Sequence, residues 1–399
     1  MRPAAFALLA SLLAIPASAQ TVSDVSAEDR MIHERALVID THLDVAALFD
    51  DGRWDFGERH RYEWDRSQVD LPRMEEGGLD GGFFVIYTSQ GAVTPEGFRQ
   101  ARDAALVRAA AIHRVIGENR DRLRLALTPA DAERIVGEGR RAMFISMENS
   151  WPLGEDLSLL ETFHRLGVRM AGPVHSRNNQ LADSTTDTPR WNGLSPLGRQ
   201  WVAEMNRLGM LIDVSHSSDA AFDQMVELSR VPVIASHSGP RAIFDHKRNL
   251  DDGRMRRLAR SGGVMFLNSV FLVANDNSPE RNAINDRHER WAELNPAERR
   301  QLLRDRAALD AQRPYTSADF DRFMRSVMHA ISIMGVDHVG LGADWDGGGG
   351  VIGMEDISLL PRITARLRRE GLSEGDIGKI LGGNLVRVMR QAQAGAARR

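Results

Sequence analysis

Short apolar runs recur along the chain, and most close on a polar side chain. Eight stand out, at residues 37–45 (LVIDTHLDV), 82–88 (GFFVIYT), 141–148 (RAMFISME), 168–175 (VRMAGPVH), 210–216 (MLIDVSH), 231–237 (VPVIASH), 263–270 (GVMFLNSV) and 338–344 (HVGLGAD). Near-continuous apolarity over so few residues marks strands buried on both faces, as in a parallel sheet. Stretches of helical period lie between them, at 97–116, 128–139, 156–166, 195–208, 218–228, 252–260 and 317–334. Thr128-Pro129 and Ser195-Pro196 supply a cap followed by proline at the first helical position. Repeated strand–helix alternation predicts an α/β fold, a (β/α)8 barrel of the TIM type, with a doubly wound open sheet as the alternative.

Two segments interrupt the rhythm. Residues 177–194 are polar and follow the fourth run, on the face where barrel active sites form. Residues 274–315 are a charged insertion after the seventh run, with acids interleaved among bases. That pattern predicts a solvated helical excursion, with a lid or an oligomer contact as alternatives, and not a nucleic-acid patch. The glycines at 347–350 predict a flexible stretch. Residues 25–395 are expected to form one barrel domain carrying both insertions. Residues 1–20, MRPAAFALLASLLAIPASAQ, combine Arg2, an apolar stretch over 4–15 and a small-residue site at Ala17-Ser18-Ala19. This predicts a secretory signal peptide over 1–19 that is cleaved. The apolar stretch is short against the roughly 20 residues of a bilayer span. The expected mature chain is therefore exported to the periplasm or beyond, with no membrane anchor.

Composition narrows the chemistry. The 399 residues carry 55 acids against 51 Lys plus Arg, a net charge of −4. That balance gives no basic footprint for nucleic acid. There is no cysteine, so disulfides, thiolate metal sites and a cysteine nucleophile are excluded. A transition metal would have to be held by carboxylates and the twelve histidines.

The polar residues that close the runs are of that kind. The first run ends in His42-Leu43-Asp44, and residues two apart on a strand share a face, so both could grip one ion. Glu148, His175, His216, His237 and Asp344 close five others. Each alone is equally well a satisfied core histidine or a capping carboxylate. In a barrel, however, all these ends converge on one cavity. So many imidazoles and carboxylates in one pocket are costly to desolvate unless cations sit among them. Two divalent ions resolve the conflict; nitrogen and oxygen donors without sulfur fit Zn2+, with Mn2+, Co2+ or Fe2+ as alternatives. Such a pair generates hydroxide at neutral pH and polarises a carbonyl or phosphoryl oxygen, which points to metal-assisted hydrolysis. Asp346 rivals Asp344 but lies beyond the apolar run, and Asp40 and Asp213 precede the ligand-type residues on their strands, where they could orient them.

These stretches together resemble the membrane (renal) dipeptidase family, peptidase family M19 of the amidohydrolase superfamily. The matching segments are VIDTHLDV (38–45), SMEN (146–149), VHSRNN (174–179), LIDVSHSS (211–218), VIASHSGPRAI (233–243), RNLDD (248–252), DHVGLGADWDG (337–347) and GGNLVRV (382–388). The resemblance implies a binuclear zinc dipeptidase acting on dipeptides, including those with a D-residue at the second position, through a metal-bridged hydroxide. It implies His42 and Asp44 on one zinc, His216 and His237 on the other, and Glu148 bridging both. By the same resemblance His175 steadies the oxyanion, Arg248 binds the free carboxylate of the substrate, and Asp344 is the acid/base. A homodimer is implied at family level only. Arg248 also reads as a surface arginine paired with Asp251 or Asp252. Rival functions are lactone, β-lactam or phosphoester hydrolysis on the same metals, or a non-catalytic barrel. The disulfides and lipid anchor of mammalian members do not carry over to a chain without cysteine or an anchor signal.

Overall fold

The computed structural model describes residues 24–397. The signal-peptide segment lies outside them. Among the described residues nine strands form: β1 (Ile39–Leu43), β2 (Gly81–Tyr87), β3 (Leu123–Leu125), β4 (Arg141–Glu148), β5 (Val168–Ala171), β6 (Leu211–Ile212), β7 (Ile234–Ser238), β8 (Val264–Leu267) and β9 (Val339–Leu341). Every ladder is parallel. The ladders group into two arcs, β1-β2-β4-β5-β6 and β7-β8-β9. Single bridges join the arcs at Asp213–Ile234 and Leu43–Trp345, which curls the sheet into the closed (β/α)8 barrel. Eight strands, all but β3, are the staves, and each corresponds to one apolar run.

The strand β3 was not visible as a run. It is only Leu-Arg-Leu, and it pairs with residues 141–143 at the start of β4. There it fills the edge that β5, which joins β4 only from Ile145 onward, leaves open. Several apolar runs also continue past their strands. Val174, Val214 and Ala343 are buried although β5, β6 and β9 have already ended, because the chain turns inward over the barrel mouth instead of continuing the ladder. Burial keeps these residues apolar where the regular ladder has ended, although the Val214 amide still donates to Ile234 O (2.8 Å). Asp44 likewise leaves the strand and opens a 3-10 turn, Asp44–Asp50. Among the described residues no helix is long and apolar enough to cross a membrane.

Two expectations are refined. Residues 274–315 form the expected helical excursion, exposed over much of its length, but it is not solvated all round. Helices Pro279–Glu289 and Pro296–Gln312 pack together, with a 3-10 turn, Trp291–Glu293, between them. Buried Arg281 ties the insertion together internally, facing Asp276 (3.3 Å) and Asp310 (2.6 Å), and Arg299 ties it to buried Asp51 beside the turn that follows β1. The insertion therefore roofs the barrel mouth. Nor are the four glycines loose. The Gly349 amide donates to Asp344 O (2.8 Å) and the Gly350 amide to Ser269 Oγ (2.8 Å). A Cβ at Gly349 would lie 2.2 Å from Ala343 O, so close backbone approach is what demands glycine there.

Candidate active site

All the ligand-type residues come from the C-terminal ends of the staves, and they meet. His42 is on β1, Glu148 ends β4 and His237 is on β7. Asp44, His175, His216 and Asp344 follow β1, β5, β6 and β9 on loops. Glu148 is the hub. Its Oε1 lies 2.9 Å from His216 Nε2, 3.3 Å from His237 Nε2 and 3.8 Å from His175 Nε2. Its Oε2 lies 3.6 Å from His42 Nε2, which is itself 3.2 Å from Asp44 Oδ2. Three overlapping trios have donor atoms within 4.8 Å of one another: His42–Glu148–His237, Glu148–His175–His216 and His42–Asp44–Asp344. The structure brings His42 and Asp44 together, but the 3-10 turn, not strand alternation, brings Asp44 back beside His42.

The backbone around these residues is unusual. His216 (φ 66°), Asp344 (φ 67°), Asp346 (φ 65°) and Asn149 (φ 65°) all adopt the left-handed conformation. That region costs a non-glycine residue roughly 1–2 kcal/mol, and such strain gathers where function fixes a side chain. Supporting carboxylates hold the loops. Asp40 accepts from the amides of His42 (2.9 Å) and Ala343 (3.1 Å), tying β1 to the loop after β9. Asp213 accepts from the amides of Ser215 (2.9 Å) and Ser236 (2.8 Å) and from the Ser236 hydroxyl (2.5 Å). With its one proton on Asp213, Ser236 Oγ can only accept from His237 Nδ1, 2.8 Å away. His237 Nε2 is then a bare lone pair aimed at the cluster.

Electrostatics agree with a cation site. Burial, with Arg248 and His175 adding, pushes His216 well below 6.5, and burial with the charge of His42 takes His237 down to about 4. Two neutral imidazoles thus face each other with Nε2 atoms 2.9 Å apart. Such crowding suits a shared cation, since donors on a tetrahedral ion at about 2.1 Å are themselves about 3.4 Å apart. Burial opposes the charge on Glu148, yet the surrounding histidines hold it well below the usual carboxylate range. Burial also opposes a charge on His42, but Asp44 and Glu148 outweigh it and raise it well above 6.5. Asp344 is pushed up to about 7, chiefly by burial and then by Asp44 and Glu148. His42 Nδ1 has no partner among the described residues.

Arg248 is not a surface arginine. It is buried, its Nη2 donates to His237 O (3.2 Å), its Nε has no partner, and its guanidinium lies 5.3 Å from the Phe271 ring. Together with the cluster it lines a cavity of about 1340 Å³. Residues 186, 288, 290, 291, 306, 310 and 315, from the two segments that broke the strand–helix rhythm, line it too. Sequence reading missed Trp291 and Tyr315 as wall residues; an aromatic inside a charged insertion was the available signal.

The comparisons with known proteins point the same way. The sequence model of the family described as membrane dipeptidase (peptidase family M19) matches residues 26–399. The chain is 31% identical to the dipeptidase tcpJ of Claviceps purpurea over 339 residues, 82% of this chain and 70% of that one. The crystal structure of the probable dipeptidase PvdM from Pseudomonas aeruginosa superposes with a TM-score of 0.79 at 30% identity, covering 92% of this chain and 98% of that one. A metallopeptidase from Rhodobacter sphaeroides, crystallised with a phosphinate mimic of the dipeptide L-Ala-D-Ala, gives 0.71 at 26% identity over 90% and 99% of the two chains. A barrel with buried His/Glu metal-site groups at its mouth, matched by these relatives along most of its length, belongs to the membrane dipeptidase family, peptidase family M19.

Proposed function

We propose that the chain is an exported binuclear zinc dipeptidase that hydrolyses dipeptides with a free C-terminus, D-residues at the second position included. The observation that carries this reading is the position of Glu148, one of whose oxygens reaches three imidazoles while the other faces His42. His42 and Asp44 would hold one ion and His216 and His237 the other, with Glu148 shared. The ions would supply Lewis acidity and a nucleophile at neutral pH. The chain's own residues do the rest. Arg248, pinned by His237 O, offers its remaining N–H groups to the terminal carboxylate, and a two-pronged bond of that kind fixes the peptide's direction. His175 lines the cavity beside Glu148 and donates to the oxygen that gains charge. Asp344, a buried carboxyl beside His42 and Asp44 on the cavity wall, takes a proton from the attacking water and passes it to the leaving amine. The roof of the insertion limits the access of bulk water.

The phosphinate dipeptide mimic held by the Rhodobacter sphaeroides relative supports a substrate of this class, with a D-residue second. The test is a dipeptide library that includes L-X–D-Y members, assayed with and without chelator, alongside metal analysis. Turnover that chelator abolishes and zinc restores, with two zincs per chain, is expected. Activity indifferent to chelator, or fewer than one tightly held ion per chain, would overturn the reading. Export is checked by the mass of the mature protein from the periplasm, which should begin at Gln20.

A further inference from the structure

Arg248 fixes one end of a dipeptide, and what lies beside that anchor decides which residue can occupy that end. The side chain of the C-terminal residue leaves the same α-carbon as the carboxylate, so it must come to rest close to the guanidinium. Three rings stand there. Phe271 lies 5.3 Å from the guanidinium, His246 stacks on Phe271 (ring centroids 4.7 Å apart, planes 10° apart), and Phe244 continues the stack beyond His246 (5.9 Å, 6°). All three line the cavity and are half-buried, so the stack is presented to it and not packed away. The stack is also held from behind. Asn249, next to the anchor, donates through Nδ2 to Phe244 O and Phe271 O (2.9 Å each). Arg322 bonds the neighbouring carbonyls, Leu272 O (2.6 Å) and Ile243 O (2.8 Å). His246 Nδ1 accepts from the Arg248 amide (3.2 Å), and burial followed by the charge of Arg248 holds the ring below its usual 6.5. Of the wall residues between 244 and 277, Arg248 alone carries a permanent charge.

We propose that the Phe244–His246–Phe271 stack is the subsite for the side chain of the substrate's C-terminal residue, and that it selects large apolar or aromatic side chains there over small or charged ones. The proposal rests on the dipeptidase reading above, with Arg248 as the carboxylate anchor. Apolar surface withdrawn from water against such a wall is favourable in proportion to its area, and an aromatic side chain brings the most. A stack whose backbone is pinned from both sides needs little further ordering when the substrate arrives. An ionised side chain would give up its hydration beside a wall whose one permanent charge is already engaged by the carboxylate. The side chain of the first residue lies beyond the scissile bond, away from the anchor, so this selection acts on the second residue alone.

The experiment measures kcat/KM of the zinc-loaded wild type and of Phe271→Ala for alanyl dipeptides with Ala, Phe or Asp second, supplied in the D and the L configuration, and for phenylalanyl-alanine. In whichever configuration is turned over, the wild type should favour Phe over Ala at the second position by about 10–100-fold, chiefly through KM, and should disfavour Asp. In F271A the second-position preference should fall to within about threefold of parity, while the ratio of phenylalanyl-alanine to alanyl-alanine stays as in the wild type. Equal losses on alanyl-phenylalanine and alanyl-alanine would mean that Phe271 only steadies Arg248, and would overturn the proposal. So would a wild type that is indifferent to the second side chain or prefers Asp, a result that needs no variant to fold. A wild type inert on all dipeptides would instead sink the dipeptidase reading, and the proposal with it.

Discussion

Gly347 offers the sharpest test of how tightly the cluster is built. Its amide donates to Asp344 O, and the residue itself is exposed with a φ any L-residue can adopt. Alanine there should fold normally. Yet its Cβ would lie 2.2 Å from Asp344 Oδ1 and 2.2 Å from Asp44 Oδ2, against the 3.4 Å of ordinary contact. Each carboxylate must retreat by about 1 Å, and a displacement of that size costs roughly 100-fold in rate. Displaced ligand groups also weaken metal affinity by about 10–100-fold. We expect Gly347→Ala to lower kcat/KM by about 100-fold with zinc in excess, to need more zinc for half-maximal activity, and to shift the metal-free melting temperature by no more than about 3 °C, as suits a change under 1 kcal/mol. Steady-state kinetics across a zinc titration, beside calorimetry in chelator, measure all three. A variant within threefold of wild type at every zinc concentration would show slack around both carboxylates and refute the reasoning.

Two other outcomes follow from the geometry. Arg248→Ala should lower kcat/KM for dipeptides by about 100-fold, the value of a charge-assisted two-pronged bond, while C-terminal amides, which never had that partner, are cleaved equally by variant and wild type. Buried His33 donates from Nε2 to Gly77 O (2.9 Å) and accepts at Nδ1 from the Thr364 hydroxyl (2.7 Å), and burial takes it from 6.5 to about 4. A depressed histidine contributes stability that is complete above pH 6.5 and lost as the pH falls toward 4, in all about 3 kcal/mol. Urea titrations in chelator should find that His33→Asn flattens that acid slope; an unchanged slope would assign it elsewhere.

The barrel was legible because strands buried on both faces must read as unbroken apolar runs, and the cluster because a charged or imidazole side chain at the end of such a run needs a reason. What failed was whatever depends on how the chain leaves a strand. Residues 213–216 look like strand because Asp213 and Val214 are buried and still bond to Ile234 of the next stave, and nothing about a histidine announces that His216 sits left-handed. The insertion reads as solvated because charge pattern reports helix faces and not which charges close on one another in three dimensions, here Arg281 with Asp276 and Asp310 of the same insertion. The glycines at 347–350 look slack for the same cause, since the atoms they must avoid belong to residues such as Asp44, some 300 positions away.

The two arcs of the sheet meet at seams where strand pairing thins to one bridge each, supplemented by the side chains of Asp213 and Asp40, and β6, beside one seam, is only two residues long. Glu148 and His216 come from the longer arc and His237 from the shorter, across the first seam; His42 and Asp44 face Asp344 across the second. An ion held among each group would brace the seam it spans, so that loading the metal and tightening the cylinder would be coupled thermodynamically. The dipeptidase would then lose its roundness before its helices when stripped, and recovery of catalysis after starvation for metal would be a matter of reclosing staves already made.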